Sequence, residues 1–208
     1  MGLLTPRTRT ALVALLAAQR IAELRRSARN RLRTGDGVPS SPGTYPAMVA
    51  AHVALFVTAA WPGRRRHVPT AVEAVALAGV AAATCLRLSV IRTLGDSWNV
   101  TAHVSPSTAV ITSGPYRRLR HPNYTAVSLE FVCLPLAVGR ARAAVWLSVA
   151  GALVLCPRVR AEEALLDGLA GYREAFAGVP RFVPLPGRRS HSPVSEIQSR
   201  TVSLPNPQ

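Results

Sequence analysis

"HPNYTAVSLEFVCLPLAVGRARAAVWLSVAGALVLC", residues 121–156, holds two apolar runs separated only by Gly139, Arg140, Ala141 and Arg142. A connection this short forces two helices into an antiparallel hairpin. Neither run shows a polar helical face of the kind that meets water in a soluble protein. Working outward, three more apolar runs precede the hairpin, at residues 10–24, 46–61 and 69–88. Most are shorter than the ~20 residues that cross a ~30 Å hydrocarbon core. A thin bilayer, snorkelling ends or interfacial turns must absorb the difference. The expected fold is all-α: an integral membrane helical protein of about five transmembrane helices, with a C-terminal hairpin.

Composition agrees. The chain has 208 residues, is 49% hydrophobic and only 17% charged, yet carries a net charge of +15. A soluble domain of this size has about a quarter charged residues. All 25 basic residues are Arg. A basic chain meets nucleic acid, anionic lipid or acidic substrates. Nucleic acid is excluded here, because the arginines flank apolar runs and are not interleaved with aromatic rings. The three cysteines, Cys85, Cys133 and Cys156, sit in apolar runs without metal-ligand spacing, so they are expected to be small buried hydrophobes. The N-terminal run resembles a signal peptide, but Gln19, Arg20 and Glu23 stand where a cleavage site would need small residues, so a retained helix is expected.

Arginine placement sets orientation. With an outside N-terminus and five spans, seventeen arginines fall on the cytoplasmic side and seven outside. The main exception is "RRRH" at residues 64–67. Residues 89–122 and the segment after Cys156 then face the cytoplasm together, and the hairpin brings Arg158–Glu163 beside Tyr116–Tyr124. Three parts are expected: residues 1–88 with the N-terminal helices, 89–186 with the hairpin and a cytoplasmic site, and a disordered Ser/Pro/Arg-rich tail, 187–208.

"SGPYRRLRHPNY", residues 113–124, is the densest polar cluster. Pro122 disfavours helix at His121 and is a natural first helical residue. Tyr116 and Tyr124 offer ring faces for a cation. Arg117, Arg118 and Arg120 supply charge for carboxylates or headgroups. Taken alone, such arginines are topology anchors. Glu163 is either a solvated helix charge or a functional one, and His121 either bonds a backbone carbonyl or serves a site. "GDG" at residues 35–37 lies in an Arg-rich loop, follows no strand and is no phosphate cradle. Arg20 and Glu23, three apart, are expected to pair with each other. His52 is expected to bond a neighbouring helix; His67 and His103 are expected to be loop residues. Trp61, Trp98, Trp146 and Tyr45 are expected at the membrane interface.

"LGDSWNV" (94–100), "VITSGPYRRLRHPNY" (110–124), "RVRAEEALL" (158–166) and "GYREAFAGVPRFVP" (171–184) together resemble the isoprenylcysteine carboxyl methyltransferase family. The early "AQRIAELRRSARN" (18–30) is similar to a bacterial branch found beside lipid-making polyketide synthases. The resemblance implies methyl transfer from S-adenosylmethionine to a membrane-dissolved lipid, in the bacterial inner membrane with the site on the cytoplasmic face. It implies cofactor contact by Val110, Ile111, Tyr116, His121, Pro122, Asn123, Tyr124 and Glu162, and a substrate-side role for Arg158. The Gly-x-x-Tyr spacing near Gly171–Tyr172 is shortened relative to the family pattern, which implies a reduced C-terminal lid. His121 and Glu163 are the candidate catalytic groups. The implied partners are a lipid-tailed small molecule and the surrounding membrane lipids. Three acceptors stay open: a prenylcysteine carboxylate, an alkyl phenol or pyrone hydroxyl, and a phospholipid amine. So does a scaffold or lipid-binding protein without catalysis. A carboxylate is already ionised at neutral pH. A phenol with a pKa of ~10 is short of its anion by roughly 4 kcal/mol and would need a base.

Overall fold

Pro6 opens the first helix, α1 (Pro6–Thr34), where its missing N–H costs nothing. Just before it the Thr5 hydroxyl accepts from the Thr8 amide at 3.2 Å, a side-chain cap. The computed structural model describes residues 2–34, 38–39, 44–63, 68–100, 103–104 and 110–184. The helices that follow are α2 (Thr44–Ala60), α3 (Thr70–Leu94), α4 (Pro122–Ala137), α5 (Ala141–Leu166) and the short α6 (Tyr172–Ala175). One two-residue antiparallel pair, β1 (Val38–Pro39) with β2 (His103–Val104), departs from the all-α expectation. The "GDG" and "RRRH" stretches and the tail lie outside the described residues.

α1 is much longer than its apolar run. Arg, Ala, Leu and Glu are strong helix formers, so the helix continues through "LRRSARNRLRT" to Thr34. α1 and α3 run parallel, tied at both ends. At one end the buried Glu73 carboxylate accepts from the Leu3 and Leu4 amides at 2.9 and 3.1 Å, with Arg9 3.7 Å away. At the other, the Asn30 amide donates to the Trp98 carbonyl at 2.7 Å.

α4 is the central helix. Val127, Phe131, Leu134 and Ala137 are almost fully buried, against Leu55 and Ala59 of α2, Ala76 and Val80 of α3, and Leu155 and Val159 of α5. This core cluster also includes Val13 and Leu16 of α1. The division expected after residue 88 therefore falls within α3, and the helices on both sides share one core. Two glycines permit the close packing. A Cβ on Gly79 would lie 2.4 Å from Cys133 Sγ, and one on Gly151 would lie 3.0 Å from the Phe131 ring. The α4–α5 hairpin forms as the short "GRAR" turn requires, with Gly139 at φ 78°.

The outer surface is apolar: Leu15, Val53, Val75, Val145, Trp146 and Leu153 are all more than half exposed. Thr70–Ser97 and Ala141–Leu166 are long and apolar enough to cross a membrane, and only 33% and 28% of their apolar windows are buried. A core helix of a soluble protein would be mostly buried, so these faces are built for lipid.

Several expectations change. Cys85 and Cys156 are exposed on helix faces, and only Cys133 is partly buried, so the three are not buried hydrophobes as a set. Trp98 is 2% exposed and packs on Val90 and Ile91, so it is no belt residue, whereas Trp61 and Trp146 are exposed. His52 bonds its own helix, at Met48 O (2.9 Å), and stands edge-on to Phe131. Arg20 does pair with Glu23, but both also join Arg87 and Glu130 in a buried cluster.

Gly79→Ala is expected to destabilise the fold by about 1–3 kcal/mol through overpacking, seen as a lower thermal midpoint. Cys133→Ala in the same chain should recover most of that loss, measured by thermal unfolding in detergent.

Candidate functional site

α4 begins low. Pro122 is its first residue, and Asn123 sits opposite Arg87, whose Nη1 donates to Asn123 Oδ1 at 3.2 Å. α3 continues from Arg87 to Leu94, and α5 from Arg158 to Leu166, about two turns each, roughly 10 Å beyond that level. The gap above the α4 N-terminus is a cavity walled by Trp98–Val100, Val110–Ile111 and Tyr116, floored by Arg120, His121, Asn123 and Tyr124, and bounded on one side by Arg158 and Glu162. The turn carrying Tyr116 seats tightly on α3, because Gly114 takes φ 57° and leaves Thr93 Oγ1 where a Cβ would be.

Tyr124 is the centre of the polar wall. Its hydroxyl donates to Glu162 and accepts from Arg158 Nε at 3.0 Å. A second Arg158 nitrogen, Nη2, donates to the Val100 carbonyl. The third, Nη1, is buried without a partner among the described residues, as are Trp98 Nε1 and the Tyr172 hydroxyl. All three belong to residues lining the cavity. Buried donors without acceptors are rare, so these three suit a ligand that brings acceptors. Burial pushes the Tyr172 hydroxyl up to about 12, so it stays a protonated donor at neutral pH. Burial, and then Glu162, also raise Tyr116 above the ordinary phenol value.

The roof comes from the C-terminal segment. Tyr172, Phe176 and Val179 form a small apolar cluster against Val110, Tyr116, Leu166 and Leu169. Beyond it, residues 179–182 run as a strap along the start of α4. The Arg120 and His121 amides donate to Pro180 and Arg181 carbonyls at 2.9 and 3.0 Å, and Arg120 Nε donates to Val179 O at 2.7 Å. Arg181 grips Glu163 with Nε and Nη2, at 2.7 and 2.8 Å, and Glu163 Oε1 lies 3.0 Å from His121 Nε2. The bonds to Glu163 raise Arg181 above its ordinary value. The shortened Gly-x-x-Tyr spacing thus leaves a covering segment in place.

Among the sequence candidates, Val110, Ile111, Tyr116, His121, Asn123, Tyr124, Arg158 and Glu162 all face this one cavity. Pro122 is buried beneath it as the helix start, and Glu163 stands outside it, holding the strap. Arg117 and Arg118 point outward, exposed, while Arg120 lines the cavity. Sequence reasoning missed Tyr172, Phe176 and the inward Trp98. The signal for Trp98 was its place in "LGDSWNV", a stretch otherwise noted only as part of a family pattern.

The fold and cavity define a helical membrane protein with a polar pocket sunk into one end of its helices. Residues 74–168, from α3 to just beyond α5, match the isoprenylcysteine carboxyl methyltransferase (ICMT) family. The match begins earlier than the motifs at residue 94 and stops before "GYREAFAGVPRFVP". Uncharacterized protein YpbQ of Bacillus subtilis (strain 168) is similar, 27% identical over 159 residues that make up 75% of this chain and 95% of YpbQ.

Glu163→Ala is expected to free the strap: trypsin should cleave after Arg173 and Arg181 several-fold faster, while α5 stays protected. Timed digestion with mass analysis of the fragments checks this.

Proposed function

We propose that the chain is a five-span bacterial inner-membrane enzyme that transfers the methyl group of S-adenosylmethionine to an oxygen of a lipid-tailed acceptor at the cytoplasmic face. The observation that carries this reading is the convergence, within the family-matched core, of Tyr124, Glu162 and Arg158 on one cavity holding unsatisfied buried donors. The orientation rests on charge. α1 and α3 carry Arg25, Arg29, Arg33 and Arg92 toward the cavity end, and Arg117 and Arg118 flank it.

The residues fit the cofactor. Trp98 Nε1 and the Tyr172 hydroxyl are donors in need of acceptors, S-adenosylmethionine offers carboxylate, ribose and adenine acceptors, and Arg158 Nη1 is left for the methyl acceptor. Glu162 is placed to take ribose hydroxyls or the amino group. The rings of Tyr116 and Tyr124 favour a cation. When bound, S-adenosylmethionine supplies an electrophilic methyl on a positively charged sulfur. The chain's part is to hold and orient both reactants and keep water away, through the Tyr172–Phe176–Val179 roof.

The acceptor that asks least of these residues is one that arrives ionised. Glu162 is held by Tyr124, and Glu163 is shared between Arg181 and His121, so neither carboxylate is a free base. A carboxylate acceptor needs only Arg158 to orient it. A phenol or pyrone would have to pass its proton to His121 and onward to Glu163.

Purified chain in lipid nanodiscs with methyl-labelled S-adenosylmethionine tests the reading, offered prenylcysteine, alkyl phenol and alkyl pyrone in parallel. The expected product releases its label in mild base, as an ester does. Base-stable label on a phenol or pyrone keeps the methyltransferase and reverses the acceptor order. Absence of both label and cofactor binding leaves a non-catalytic scaffold. Tyr124→Ala and Glu162→Ala are each expected to weaken cofactor binding by about a hundredfold or more, Glu162→Ala at an unchanged thermal midpoint and Tyr124→Ala at a lower one because its ring is part of the core. Calorimetric titration checks this, and unchanged affinity in either variant moves the site elsewhere.

A further inference from the structure

One helix outside the family-matched core holds the cavity from behind. Arg20, Glu23, Ser27 and Asn30 lie on one stripe of α1, at spacings of three and four. Glu23, Ser27 and Asn30 are 6%, 0% and 4% exposed. An anchoring helix needs no such stripe; apolar residues would bury there without having to be satisfied.

The bonds made by this stripe end on residues of the cavity wall. Ser27 Oγ accepts from the Val100 amide at 3.1 Å and donates to Asn99 Oδ1. Asn30 Nδ2 donates to Trp98 O at 2.7 Å. Val100 O in turn receives Arg158 Nη2, and Arg158 Nε donates to the Tyr124 hydroxyl. Lower down, Glu23 lies 3.6 Å from Arg87, which donates to Asn123 on the floor and lies 3.4 Å from Glu130. Arg20 bridges Glu23 and Glu130. Two separate chains of bonds therefore lead from α1 to the polar groups of the cavity.

We propose that the polar stripe of α1 is a positioning element for the site: Ser27 and Asn30 fix the Trp98–Val100 wall, and through Val100 they aim the Arg158 guanidinium. The consequence for ligand binding rests on the cofactor reading above; the mechanical link from α1 to Trp98 does not.

The test uses the full chain in nanodiscs with Trp61→Phe and Trp146→Phe, which leaves Trp98 as the single tryptophan of the three in the sequence. Ser27→Ala and, separately, Asn30→Ala are expected to red-shift Trp98 emission and raise its quenching by acrylamide. Each should also weaken binding of S-adenosylhomocysteine roughly tenfold, with the thermal midpoint nearly unchanged. Val13→Ala, which trims the same helix within the core, should lower the thermal midpoint and move neither other readout. Unshifted Trp98 emission in both polar variants overturns the proposal. So does a loss of affinity that Val13→Ala reproduces, because the stripe would then act through stability alone. If the parent chain binds no S-adenosylhomocysteine, the cofactor reading falls, and the Trp98 emission alone decides the positioning role.

Discussion

The level at which α4 starts governs the rest of the molecule. Proline has no amide hydrogen to give a preceding turn, and it disfavours the helical region for the residue before it. His121 accordingly takes φ −122° and ψ 60°, and the helix cannot extend upward past Pro122. The neighbours α3 and α5 carry on for about two further turns, so a void opens at the centre of the bundle end. The side chains facing that void, Arg158 and Glu162 from α5 and Tyr116 from the loop, thereby become a site. A void of that kind also has to be closed. The C-terminal segment does so with backbone bonds to Arg120 and His121, the very residues that α4 leaves unwound.

The second constraint is electrostatic. Arg20, Glu23, Arg87 and Glu130 bury four formal charges that sum to zero, among helices with apolar outer faces. Such a cluster is weak evidence for stability in itself, since desolvation offsets most of the attraction. Removing one member is another matter, costing about 3–5 kcal/mol by stranding its partner. The cluster therefore defines which helices meet and in what register.

The helices and the hairpin were legible in the sequence because apolar runs and a four-residue turn leave little choice of geometry. The gathering of Tyr124, Arg158 and Glu162 was legible too, because the hairpin sets which segments return to the same end. Partner choice inside the bundle was not. Glu130 sits alone in an apolar run, and Arg87 at the edge of one, so neither shows in sequence which charge it meets. Trp98 was misplaced because a tryptophan near a helix end suits both a lipid interface and a pocket wall. The strap was hidden for a different reason: its hold on residues 120–121 is made by backbone groups, which any sequence possesses. Apart from the end of α1, helix propensity decided little.

The Arg20–Glu23 pair also bears on how the protein is made. In the proposed five-span topology, α1 reaches the bilayer before α3 and α4 have been synthesised. A lone charge at that stage would have to wait in lipid for Arg87 or Glu130. Because the pair sits three residues apart on one helix, each charge travels with its own counter-ion, and the apolar run of α1, residues 10–24, can partition with no net formal charge. The later helices then add Arg87 and Glu130 to this local pair, so that the same two side chains serve membrane insertion first and final assembly afterwards.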